Sequence, residues 1–143
     1  NISKRIVKSP KLYFRDSGLL HYMNRIKSYN DLINNIICGA SWEGFVIEQI
    51  IQLMPKNLHA YFYRTHHGAE SDLVLVKGNK PIACIEIKLN NAPDVPKGFI
   101  NCINDLKTKQ NFIITPQSDN YVFKNIRICS LQSFIRKYLI HIK

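Results

Sequence analysis

The chain has 143 residues, 45% hydrophobic and 21% charged, a balance that excludes disordered and fibrous classes and fits one domain with helices packed around a sheet. Its net charge of +10 suits a polyanionic partner such as nucleic acid, although a chain so rich in Asn, Ile and Lys can also carry such lysines as plain solvated surface. No run approaches the roughly 18 consecutive apolar residues of a membrane span and no charged-then-apolar leader is seen, so a cytoplasmic domain is expected.

The first residue, Asn1, opens mid-pattern, which reads as a piece of a longer protein. Lys11-Leu12-Tyr13-Phe14 reads as extended, and Asp16 and Ser17 then offer N-cap oxygens to a short helix bearing Leu19, Leu20 and Met23. A second short helix is expected with Leu32, Ile33, Ile36 and Ile37 on its buried face and Gly39 at its end. These pieces, residues 1–38, form an N-terminal extension packed on the rest of a single domain covering residues 1–143. From Ser41 to about Met54 apolar residues recur at three- and four-residue steps, with Pro55 closing a helix. Glu43 lies on the stripe of Ile47, Ile50 and Met54 and so faces inward or into a cleft, whereas Glu48 shares the polar side with Gln52 and Lys56.

Three strand-like runs follow, Ala60 to Thr65, Glu70 to Val76 and Pro81 to Leu89, joined by short glycine-bearing loops that predict an antiparallel meander. Ile82 to Leu89 is apolar on both faces until its end, as befits a central strand covered on each side. Pro96 opens a helix carrying Phe99, Ile100, Ile103 and Leu106, and a strand at Asn111 to Thr115 implies a parallel crossover. A last strand near Ile126 to Cys129 leads into a helix capped by Ser130. The order is an α/β sandwich, α-β-β-β-α-β with additions at both ends. Cys38, Cys84, Cys102 and Cys129 are scattered singly in apolar stretches and are expected as buried, reduced thiols.

The chemistry concentrates at two strand ends. Residues two apart on a strand share a face, so Glu86 and Lys88 project together, and Glu70 and Asp72 do the same on the preceding strand. Two carboxylates, Asp72 and Glu86, with the backbone carbonyl of Ile87 make the hard-oxygen surroundings that Mg²⁺ (or Mn²⁺) prefers. The ammonium of Lys88 can hold a water or neutralise charge developing on a phosphate, and Glu43 can orient a water or join the coordination shell. Glu70 is a candidate accessory acid, or a solvated residue at the start of its strand. Arg64, His66, His67 and Lys97 are candidate DNA phosphate contacts, while of Tyr61, Phe62 and Tyr63 at least one belongs to the core.

Asp72, a gap of about fourteen positions and Glu86-Ile87-Lys88 resemble the PD-(D/E)XK signature, and the upstream Glu43 resembles the extra acid of many members. More of the chain carries a wider resemblance, in Lys8-Ser9-Pro10-Lys11-Leu12-Tyr13-Phe14-Arg15-Asp16-Ser17-Gly18-Leu19-Leu20, in Trp42-Glu43-Gly44-Phe45-Val46, and in Tyr63-Arg64-Thr65 with Gly68-Ala69-Glu70-Ser71-Asp72. These stretches look like the C-terminal domain of a prokaryotic AAA-type ATPase family, whose domain is similar to PD-(D/E)XK nucleases and follows a P-loop module. The resemblance implies a restriction-endonuclease-like fold, a central mixed sheet flanked by helices, with a metal site at Glu43, Asp72, Glu86 and Lys88. It also implies an N-terminal ATPase domain as partner in the same polypeptide, although this chain has no Gly-x-x-x-x-Gly-Lys-Ser/Thr. Ser71 stands where the signature has proline.

Each feature also has a plainer account: Glu86 and Lys88 as an ordinary ion pair at a strand end, and Glu43 as a salt bridge to Arg64 or Lys88. The resulting expectation is a Mg²⁺-dependent nuclease domain acting on DNA. Its rivals are a non-catalytic DNA-binding or protein-docking module that regulates the ATPase, and an oligomerisation domain with a large exposed apolar patch.

Overall fold

The computed structural model describes residues 11–142; Asn1 and the Lys8, Ser9 and Pro10 quoted for the resemblance lie outside the described residues. The elements are α1 (Ser17–Met23), α2 (Tyr29–Ile33), α3 (Cys38–Leu53), β1 (Leu58–Arg64), β2 (Glu70–Lys77), β3 (Lys80–Ile87), α4 (Lys97–Leu106), β4 (Gln110–Thr115), β5 (Tyr121–Phe123), β6 (Ile126–Ser130) and α5 (Leu131–Lys137), followed by a 3-10 turn at Leu139–His141.

One six-stranded mixed sheet, ordered β1-β2-β3-β4-β6-β5, runs through the molecule. The first three strands form the expected antiparallel meander. The hairpin between β2 and β3 turns at Gly78, whose φ of +57° a residue with Cβ would adopt only under strain. β3 then pairs in parallel with β4 across α4, and β4 in parallel with β6.

The period of two along each strand divides the core. Leu73, Leu75, Ile85, Ile87, Phe112 and Ile114 face a layer containing Val46, Ile47 and Ile50 of α3 and Phe134 of α5. Val74, Cys84 and Ile113, between them in sequence, face Phe99, Cys102 and Ile103 of α4. Helices thus cover both faces of the central strands, which is why β3 reads as continuously apolar up to Glu86. Tyr63 is the core aromatic of its strand, while Tyr61 is exposed.

The N-terminal extension departs from expectation. Asp16 does cap α1, accepting from the Leu19 amide, and Ser28 and Asp31 form a reciprocal capping box that starts α2. Yet α2 ends at Ile33: Asn34 caps it, and the Asn35 side chain takes the Ile37 amide in a local turn that competes with the helix. The expected buried face does not form, and Ile36 is 98% exposed. Gly39 does not end a helix but lies in the first turn of α3, with open space where its Cβ would be. Leu12, Phe14, Leu19, Tyr22, Met23 and Tyr29 are also exposed, so this segment presents apolar side chains that the described residues do not cover.

β5 is a strand that the sequence does not announce. Its three residues are all exposed, and its hairpin with β6 turns on Lys124 at φ 56° rather than on a glycine, so neither burial nor turn composition signals it.

One close approach fixes the edge of the site. An ideal Cβ on Gly98, in the first turn of α4, would stand 2.6 Å from the carbonyl oxygen of Gly68 in the β1–β2 turn. Because the obstacle is backbone, Gly98→Ala is expected to cost about 1–3 kcal/mol through overpacking. Urea unfolding measures this, and an unchanged midpoint would mean that the turn yields without cost.

Candidate functional site

The site lies where β2 and β3 meet the N-terminal half of α3. Asp72, in β2, is buried, and its Oδ2 accepts the Ile87 amide at 3.0 Å, which locks the carboxylate onto the neighbouring strand. The hydroxyl of Ser71 lies within hydrogen-bond reach of both the Leu73 and Ile85 carbonyls, at 3.0 Å each, holding the same two strands together. This gives Ser71 a structural reason to stand where the signature has proline, since its side chain is the donor that links the strands.

Glu86 and Lys88 do share a face, with Lys88 Nζ 2.8 Å from Glu86 Oε1. Glu86 is 6% exposed and its Oε2 has no hydrogen-bond partner among the described residues. Burial, reinforced by the nearby negative charge of Asp72 and opposed by the hydrogen bond from Lys88, pushes the Glu86 carboxyl up to about 7. Lys88 is held above its ordinary value, because its bond to Glu86 and the fields of Glu86, Asp72 and Glu43 outweigh a burial that acts the other way. The indole of Trp42 donates to the Lys88 carbonyl at 3.1 Å and ties α3 to the end of β3.

Glu43 faces inward as its helical stripe predicts, half-buried, but its partner is neither Arg64 nor Lys88. Lys11 fills that role. Its Nζ lies 3.1 Å from Glu43 Oε1, 2.9 Å from Asp72 Oδ1 and 3.6 Å from Glu70 Oε1. Burial opposes the charge on Lys11, but the attractions of Asp72 and Glu43 prevail and raise its pKa well above the usual lysine range. The Tyr13 hydroxyl donates to the same Glu43 Oε1, and burial together with that bond holds the phenol up.

Two residues later, Arg15 forks onto Glu48, with Nε 3.1 Å from each carboxylate oxygen and Nη2 2.8 Å from Oε1. Glu48 also takes the Gln52 amide at 2.7 Å and is 8% exposed. This corrects the assignment of Glu48 to the solvated side: the arginine reaching over it from the N-terminal segment completes a pair that helical periodicity alone cannot see.

Of the sequence-derived site residues, Glu43, Glu70 and Asp72 converge on one ammonium, and Glu86 and Lys88 pair beside them. Arg64 lies 3.8 Å from Glu70 Oε2, on the rim. His66 and His67 are exposed in the β1–β2 turn, and Lys97 is exposed at the start of α4, beside that turn through the Gly68–Gly98 contact. Lys11, Tyr13 and Arg15 belong to no site motif in the sequence. The signal was their spacing, since alternate positions of an extended segment point the same way, here toward α3, leaving Leu12 90% exposed on the other side.

Among the described residues no three of His, Cys, Asp and Glu stand as a ready metal-binding group. Asp72 is engaged through both oxygens by Lys11 and the Ile87 amide, Glu43 Oε1 by Lys11 and Tyr13, and Glu86 Oε1 by Lys88, while Glu86 Oε2 is a buried oxygen without a hydrogen-bond partner among the described residues.

Residues 38–134 match a family described as a domain of unknown function, DUF4143. The chain belongs to the DUF4143 family. Similar proteins include the uncharacterised Rv2008c of Mycobacterium tuberculosis and Mb2031c of Mycobacterium bovis, each 39% identical over 116 residues that cover 81% of this chain and 26% of the relative. The chain therefore spans about a quarter of the length of those relatives. No solved structure matches it. The DUF4143 match contains Glu43, Glu70, Asp72, Glu86 and Lys88, whereas Lys11, Tyr13 and Arg15 precede it. No helix among the described residues of this DUF4143 domain is long and apolar enough to cross a membrane.

Proposed function

We propose that this domain is a PD-(D/E)XK-type, restriction-endonuclease-like nuclease domain that hydrolyses DNA phosphodiester bonds with Mg²⁺ or Mn²⁺, and that in the full-length protein it is coupled to an N-terminal AAA-type ATPase domain. The observation that carries this reading is the juxtaposition of Asp72, clamped to the Ile87 amide, with the buried Glu86–Lys88 pair on the adjoining strand.

With Lys11 displaced, the oxygen donors are of the kind a hard divalent ion takes. A cation, the Lys11 ammonium, already rests against carboxylates from three different positions, and a buried oxygen of Glu86 lacks a partner among the described residues. Asp72 and Glu86, with the Ile87 carbonyl, are the residues to hold the ion, and Glu70 is the accessory acid. When bound, such an ion supplies Lewis-acid polarisation of the phosphate and of water. Lys88 contributes positive charge where the phosphate gains negative charge, and its pairing with Glu86 keeps it protonated and aimed. Glu43, on a rigid helix, orients the attacking water. Arg64, His66, His67 and Lys97, along one rim, meet the DNA backbone and position the strand without reading its sequence.

The test is incubation of the chain with single-stranded, duplex and branched DNA, with Mg²⁺ or Mn²⁺ and with chelator. Ion-dependent cleavage is expected. The non-catalytic DNA-binding or docking reading is favoured by one specific observation, that Lys11 already neutralises the acidic pocket. Salt-dependent DNA binding without cleavage under any ion would decide for it.

A further inference from the structure

We propose that the Lys11 ammonium is a built-in counter-cation which a divalent ion must displace, so that the segment from Lys11 to Asp16 controls whether the acidic pocket takes up metal. This rests on reading the pocket as a metal site. The ammonium spans the two layers of the site, bonding Glu43 of α3 and Asp72 of β2 and approaching Glu70. A divalent ion taking oxygens from Asp72 would both repel that ammonium and compete for the same Oδ1, so the two cations exclude each other. Oε2 of the buried Glu86, without a partner among the described residues, is an acceptor that the ammonium leaves unused.

The way the segment is attached suits displacement. It has no regular secondary structure from Lys11 to Phe14, and its polar side chains turn inward: Lys11 and Tyr13 to Glu43, and Arg15 to Glu48. The Tyr13 ring lies against α3 at Gly44, where a Cβ would stand 3.4 Å from Tyr13 Cδ1, an ordinary van der Waals contact. Leu12 and Phe14 turn outward and are exposed, and Tyr13 is the side chain of this stretch that packs against the core, so Lys11 itself is held by charge and hydrogen bonds. Such an attachment yields to a competing ion without opening the core. The Arg15–Glu48 fork and the Asp16 cap of α1 keep the segment moored while Lys11 leaves.

Calorimetric titration of the full chain with Mn²⁺ tests this, using wild type, Lys11→Met and Lys11→Met/Asp72→Asn. Lys11→Met is expected to bind about tenfold more tightly or better, as removal of a competing bound state predicts, and the double variant to lose that gain. In the wild type, reductive methylation of Lys11, followed by mass spectrometry, is expected to become several-fold faster at saturating Mn²⁺; this arm stands even where Lys11→Met does not fold. Mn²⁺ binding that needs Asp72 but is no tighter in Lys11→Met, or Lys11 reactivity unchanged at saturation, overturns the displacement and leaves the metal reading intact. Absence of any Asp72-dependent binding in all forms overturns both.

Discussion

Lys88→Met and Asp72→Asn are each expected to lower ion-dependent DNA cleavage by roughly 100- to 1000-fold, the loss typical when one preorganised charge at a reacting centre is removed. The two substitutions act on different terms. Methionine keeps much of the length and apolar bulk of Lys88 but removes the positive charge paired with Glu86, so DNA binding should persist while turnover falls. Asparagine retains an oxygen that can accept the Ile87 amide, so the strand contact survives while the carboxylate charge does not. Single-turnover cleavage with DNA affinity measured in parallel separates these effects from lost binding, and thermal melting separates them from lost structure. Cleavage that survives both substitutions would place the chemistry elsewhere or in a contaminant.

Glu86→Gln is expected to stabilise the protein at pH 8 in the presence of chelator, with the gain shrinking toward pH 5. The Glu86 carboxyl titrates near 7 in the folded state, against an ordinary value of 4.5. Between those values the folded chain holds a proton that the unfolded chain releases. The stability contributed by this group is therefore complete below about 4.5 and is lost as pH rises through about 7. Each unit is worth about 1.4 kcal/mol, so the cost of the ionised carboxylate at pH 8 is on the order of 3 kcal/mol. Glutamine removes that cost together with the partner of Lys88. Melting temperatures across this pH range measure the balance. A variant equally destabilised at pH 5 and pH 8 would mean that the Glu86–Lys88 bond, rather than the buried charge, dominates.

The central architecture was legible because its signals are local. Helical periodicity located α3, Ser130 marked the start of α5, and short glycine-bearing loops marked the meander. Period-two alternation then set Glu86 and Lys88 on one face, where they pair, and the stripe through Ile47 and Ile50 turned Glu43 inward. What escaped depends on contacts distant in sequence. Glu48 looked solvated because its arginine lies 33 residues away, and Glu43 lacked its lysine because Lys11 lies 32 residues away. The segment carrying both cations shows the alternation of an extended stretch, which tells which side chains share a side but not which element they cover. The apolar run at Leu32–Ile37 misled in the opposite sense, because the adjacent Asn34 and Asn35 bond locally and end the helix before a second turn can pack.

A crystal of the chain grown or soaked with Mn²⁺ and examined at the manganese absorption edge tests the account most directly. The expected result is an anomalous peak about 2.1–2.3 Å from oxygens of Asp72, Glu86 and the Ile87 carbonyl, with the Lys11 ammonium moved off Asp72. Full-occupancy manganese elsewhere, with Lys11 still bonded to Glu43 and Asp72 and no peak between them, would contradict it.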